Sequence, residues 1–131
     1  MSKNILLTLM LLSPLVFAEE ETFICDCNSH IYSKDNLVRS CPGYPKKLYG
    51  LIINSEEKTI SFQDEKYYYK SNPNTLTGRL FHTKRDADGE IVQDRKIEIE
   101  FEKVTKALTW KLTDFVGELP NVTQIYSCES P

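Results

Sequence analysis

The sequence predicts an all-β fold: a small antiparallel barrel or strongly curved sheet of about eight short strands, with a disulfide-tied loop after the first. Three observations carry this reading. In residues 97–112, Ile97, Ile99 and Phe101 alternate with Glu98, Glu100 and Glu102, and then Leu108, Trp110 and Leu112 alternate with Thr109 and Lys111. A period of two gives each run one apolar strand face, and the polar residues between them turn the chain into a hairpin. Clusters of Gly, Pro, Asn, Asp and Ser recur along the chain, and no long helical period follows the first 18 residues.

Those first residues read as a signal peptide. Lys3 is followed by an apolar run over residues 5–12, and Val16 and Ala18 form the small-x-small pattern of a cleavage site. The run is shorter than the ~18 to 20 apolar residues that span a bilayer, so no stable membrane insertion is expected after cleavage. A single β domain over residues 19–131, exported to the periplasm or secreted, is the expectation. Without Lys3, 15 basic side chains face 19 acidic ones, a net charge of −4. Nucleic acid is not an expected partner, because it is held by clustered Lys and Arg.

Cys25, Cys27, Cys41 and Cys128 all lie in the exported part. An even number in a small exported domain reads as two disulfides. Bonding Cys25 to Cys27 would need too tight a ring, which leaves two pairings. Cys25 with Cys128 and Cys27 with Cys41 is favoured, since the first bond would join the terminal strands; the crossed pairing remains open. Cys27, His30 and Cys41 have no standard zinc spacing, and an oxidising compartment turns such thiols into disulfides, so no metal and no other cofactor is expected.

The elements follow in order. Residues 22–27 form a first strand, and residues 28–45 a loop rich in turn formers, within which Ile31, Tyr32, Leu37 and Val38 are expected to pack as a short helical turn. Residues 48–54 and 58–63 make a hairpin. Its segment 53–62 matches segment 101–110 in residue type at five positions, including Lys58 with Lys106 and Phe62 with Trp110, which reads as one hairpin design used twice. Residues 66–70 form a strand in which Tyr68 takes the opposite face from Tyr67 and Tyr69. A strand over 76–84 is interrupted by Gly78, where a bulge or tight bend is expected. Residues 86–90 place their glycine fourth, whereas a calcium loop has it sixth, so an Asp-Gly turn leads to a short strand at Ile91 and Val92. The hairpin at 97–112, a connection over 114–120 and a last strand over 122–128 complete the chain. Trp110 is expected in the central core with Phe62, Phe101 and Leu112. Asn121-Val122-Thr123 matches a glycosylation acceptor, relevant only in a eukaryotic host.

No nucleophile elbow, metalloprotease helix, phosphate loop or dinucleotide fingerprint occurs, so no catalytic residue is assigned and an enzyme is not expected. Glu98, Glu100 and Glu102 alternate with core residues and should face water rather than form a catalytic pair. In outline the chain resembles lipocalins, without their Gly-x-Trp at the first strand. It is also similar to small periplasmic lysozyme inhibitors in size, leader, β content and a cysteine near each end, without their Ser-Gly-x-x-Tyr signature. Both likenesses are of architecture and transfer no site. The function expected first is a binding or inhibitory module for a protein or cell-wall carbohydrate, with His30 and Tyr32 in the tied loop and Tyr68 on its strand as contact residues. A carrier of a small apolar ligand comes second, and a hydrolase with an unrecognised site last.

Overall fold

The computed structural model describes residues 20–42 and 47–131; the predicted leader lies outside the described residues. Among the described residues nine strands form: β1 (Glu20–Tyr32), β2 (Val38–Arg39), β3 (Leu48–Asn54), β4 (Thr59–Phe62), β5 (Glu65–Ser71), β6 (Thr75–Arg85), β7 (Ile91–Glu102), β8 (Ala107–Asp114) and β9 (Val122–Glu129). From β3 onward each strand pairs antiparallel with the next, β1 pairs with β3, and β9 returns to β1. Eight strands thus close into a barrel, which leaves no terminal strand edge exposed. The ninth, β2, hangs on the end of β1 through His30↔Arg39 and Ile31↔Val38.

Closure is reinforced covalently. Cys25 and Cys128 are cross-strand partners on β1 and β9, and their sulfurs are bonded. Cys27 is bonded to Cys41 and ties down the connection that follows β1. The favoured pairing therefore holds. Replacing Cys27 and Cys41 together by serine is expected to destabilise by ~3 kcal/mol, because the bond closes a loop of about 15 residues in the unfolded chain. Urea unfolding reads this as a lower midpoint at similar slope, and an unmoved midpoint would show that the loop does not depend on its bond.

Alternation fills the inside. Leu51 faces Phe62, Ile53 faces Ile60, Ile60 faces Tyr67, and Phe101 faces Leu108, all buried with Phe23, Ile99 and Tyr126. An eight-stranded barrel is just wide enough for such side chains to fill it. One end is sealed by Lys106, whose ammonium lies 5.6 Å from the centre of the Phe23 ring and donates to the Lys103 carbonyl at 2.6 Å. The two hairpins matched in sequence both turn at this sealed end, and Lys58 and Lys106 take the same left-handed conformation, with φ of 57° and 62°. A residue of positive φ before the returning strand is the mark of hairpins with loops of this length.

The structure departs from expectation in four places. The strand expected to be interrupted at Gly78 runs unbroken from Thr75 to Arg85, and its pairing with β7 shifts only between Lys84 and Arg85. Ile31, Tyr32, Leu37 and Val38 do not pack as a helical turn: β1 runs on to Tyr32 beside β9, with a bulge between Cys27 and Ser29, a single turn follows in which the Asn36 amide donates to the Tyr32 carbonyl, and Val38 belongs to β2 with its side chain exposed. The separate strands expected at Ile91 and at Ile97 are one twelve-residue strand, β7, because its pairing with β6 continues across the polar stretch between them. Trp110 and Leu112 face inward but are only partly buried against the core. The reason is their height in the barrel: Trp110 stands opposite Gln124, in the half where the interior turns polar.

Candidate recognition surface

The end opposite Lys106, where β1, β4, β6 and β8 finish, is built differently. Register places His82 beside Arg95 and Arg95 beside Asp114 on one inner row, and His30 beside Gln124 on another. The two-residue turn between β4 and β5, with Gln63 and Asp64 both at positive φ, brings Gln63 over this mouth. Its amide donates to the Tyr126 hydroxyl at 3.0 Å, that hydroxyl donates to Gln124 at 2.6 Å, and the Gln124 amide donates to His30 Nδ1 at 3.0 Å. Burial pushes the Tyr126 hydroxyl up to about 12. Burial, and then the charge of Arg39, lower the pKa of His30, in keeping with a neutral ring that accepts at Nδ1. Burial likewise raises the Tyr67 hydroxyl. The Trp110 indole lies beside that hydroxyl without forming a well-aligned hydrogen bond, so the group is buried and unsatisfied. The chain from Gln63 to His30 is spent on closing the mouth. His82 reaches Glu65 at 3.5 Å and His30 reaches Gln124.

Asp114 organises the neighbouring connection between β8 and β9. One carboxylate oxygen accepts the Val116 amide at 3.1 Å, the other the Leu119 amide at 2.7 Å, and Asn121 accepts the Asp114 amide at 2.8 Å. Gly117, at φ 88°, supplies the left-handed turn between them. Arg95 stands behind, 3.9 Å from Asp114 and 3.4 Å from Glu118, and the Phe115 amide donates to the Asp94 carbonyl on β7. A loop with its backbone so occupied is held in one shape, and it turns Phe115, Val116 and Leu119 outward, 58%, 43% and 41% exposed. The backbone amides of the loop, chiefly that of Leu119, hold the Asp114 carboxyl below its usual range, against the effect of burial. A depressed carboxyl stabilises the fold fully above its unfolded pKa and loses that effect as pH falls through its folded value. Hydrogen exchange at the Val116 and Leu119 amides is therefore expected to stay protected through mildly acidic pH and to quicken only below the ordinary Asp range. Quickening already near neutrality would contradict the arrangement.

Exposed apolar side chains crowd this same end. Leu37 and Val38 lie at β2, Leu48 at the start of β3, Phe81, Ile91 and Val92 on the β6–β7 hairpin, and Phe115, Val116 and Leu119 on the β8–β9 loop, whereas among the described residues Val104 marks the sealed end and Ile52 the outer wall of β3. Beyond Asp94 the β6–β7 hairpin pairs with no part of β8 and projects as an arm, its tip fixed by Asp86 accepting the Asp88 and Glu90 amides. Scattered apolar residues on a surface are ordinary, whereas their concentration at one end sets this end apart from the rest of the barrel.

The residues chosen from the sequence are divided between two places. His30 is buried, with its ring 4.9 Å from that of Tyr32, which also lies 4.7 Å from the Arg39 guanidinium. Both belong to the mouth. Arg39 is in turn paired with Asp35, which holds the Asp35 carboxyl down at about 2. Tyr68 is far from this pair in the barrel wall, on the outer face of β5, 72% exposed over a groove of about 590 Å³ shared with Lys70, Arg79 and Lys111 and with Glu98 and Glu100. Sequence reasoning passed over Phe115, Val116 and Leu119, although an apolar pair inside a turn-rich stretch was the available signal. No protein-family model, curated protein or solved structure matches the chain.

Proposed function

We propose that this protein is an exported binding or inhibitory module whose mouth end recognises a partner. The observation that carries the proposal is the prefolded β8–β9 loop, which holds three apolar side chains in water at the end of the barrel where exposed apolar residues collect. Preorganised apolar contacts favour binding because little conformational freedom is lost on association. Of the two partner classes, protein and cell-wall carbohydrate, such a surface favours a protein. The filled lower barrel favours this reading over that of a carrier. The two disulfides are consistent with an oxidising, exported compartment. Periplasmic or secreted location is the finer part of the proposal and rests on residues 1–18. Immobilised wild-type protein and a Phe115→Ser, Leu119→Ser double variant, exposed to the same periplasmic or secreted extract, supply the test. A species retained by the wild type and lost from the folded variant is expected; equal retention by both would remove the mouth loop from consideration.

A further inference from the structure

The barrel wall is half unzipped between β5 and β6. Residues 65–68 of β5 pair with β4, and only Tyr69, Lys70 and Ser71 pair with β6. The same register would set Tyr68 opposite Arg79 and Glu65 opposite His82, but there the ladder is missing, and residues 79–85 of β6 have no strand on that side among the described residues. Only side chains cross the gap, His82 Nε2 standing 3.5 Å from Glu65. The fork starts at Gly78, where a Cβ would lie 3.0 Å from that of Tyr67 and 3.1 Å from the Tyr68 carbonyl oxygen. Strands that touch here part immediately afterwards. On its other side β6 remains paired with β7 as far as Arg85, so the unpaired edge is held extended.

Unpaired amides and carbonyls along an extended edge are a template for an added strand. We propose that residues 79–85 of β6 receive an extended, acidic peptide segment of a partner protein by strand addition. Charge selects the occupant: residues 79–85 carry Arg79, Lys84 and Arg85 with His82 and no carboxylate of their own, and these outnumber Glu65 across the gap and Glu98 beside Arg79 on β7, in a chain of net charge −3. A second copy of the chain is disfavoured by the same residues, since antiparallel self-pairing centred on His82 sets Arg79 against Arg85, and like charges directly opposite destabilise a ladder. Edges are often blunted by basic residues and bulges, and one bulge does lie between Lys84 and Arg85. Phe81, 61% exposed along the edge, and Tyr68, exposed at the fork beside Arg79, do not blunt it. They offer apolar seats for the alternate side chains of an incoming strand.

This inference rests on the binding-module reading but not on the β8–β9 loop. The full chain is titrated with a capped seven-residue peptide alternating glutamate and valine, and separately with one alternating lysine and valine, while backbone amide exchange is followed by NMR. The acidic peptide is expected to slow exchange at alternate amides of residues 79–85 and to bind at least tenfold more tightly than the basic one. An Arg79→Glu, Lys84→Glu variant should reverse that preference. Unchanged exchange at these amides with the acidic peptide, or equal binding of both peptides, would overturn the proposal. So would concentration-dependent protection of the same amides without peptide, which would assign the edge to a second copy. If Phe115→Ser, Leu119→Ser abolishes partner capture while the acidic peptide leaves β6 untouched, the edge alone fails; if the peptide binds and capture survives the loop substitutions, the loop alone fails.

Discussion

Truncation of Phe62 to alanine is expected to destabilise the protein by about 3 to 5 kcal/mol, more than truncation of the larger Trp110. Phe62 is 1% exposed and its ring centre lies 5.1 Å from that of Tyr126 and 6.0 Å from that of Tyr49. The space it leaves cannot collapse, because Tyr126 is held by Gln63 on one side and Gln124 on the other. Trp110 already meets solvent or polar neighbours over part of its surface, so less apolar area is lost and water can enter what remains. Denaturant midpoints of the two variants decide the order. A larger loss from Trp110→Ala would move the centre of the core to the mouth half.

The contrast shows what alternation reveals and what it hides. Period two told correctly which face Trp110 takes, since Ile99, Trp110 and Gln124 lie side by side across β7, β8 and β9 on the inner wall. It could not tell how far along the axis the apolar filling extends. Depth in a barrel depends on the stagger between strands, and stagger is fixed by bulges and turns at distant positions, such as the bulge after Cys27. Strand boundaries were legible where turn residues stood alone, as at Leu48–Asn54, and were lost where a polar run stayed paired, as in Ile91–Glu102. The glycine at position 78 suggested an interrupted strand, but β6 runs unbroken through it, and what the structure shows there is β5 and β6 parting.

The surface was less legible than the core for a related reason. His30 and Tyr32 were chosen because their loop is tied by a disulfide, yet β1 continues through both, so His30 faces inward and is consumed by its bond to Gln124. The β8–β9 loop was read as a connection because Gly117 and Pro120 announce a turn. What makes it more than a connection is the pair of amides on Asp114, a bond pattern that sequence spacing permits but does not require.

A Phe115→Ser substitution is accordingly expected to weaken partner retention about thirtyfold while shifting stability by less than about 0.5 kcal/mol. The first figure corresponds to roughly 2 kcal/mol, the loss at which a buried interface aromatic counts as dominant. The second follows from exposure: the side chain has little packing to lose, and the bonds that shape its loop run through backbone amides and Asp114, which serine leaves in place. Val104, 82% exposed at the sealed end, provides the control. Val104→Ser removes exposed apolar surface of similar kind from the opposite end of the barrel and should leave retention unchanged. Binding measured on the partner captured by the wild type, with both variants checked for thermal unfolding, separates the possibilities. Equal weakening by the two substitutions would mean that general stickiness, not a recognition surface at the mouth, retains the partner. No weakening by Phe115→Ser would move recognition away from the β8–β9 loop altogether.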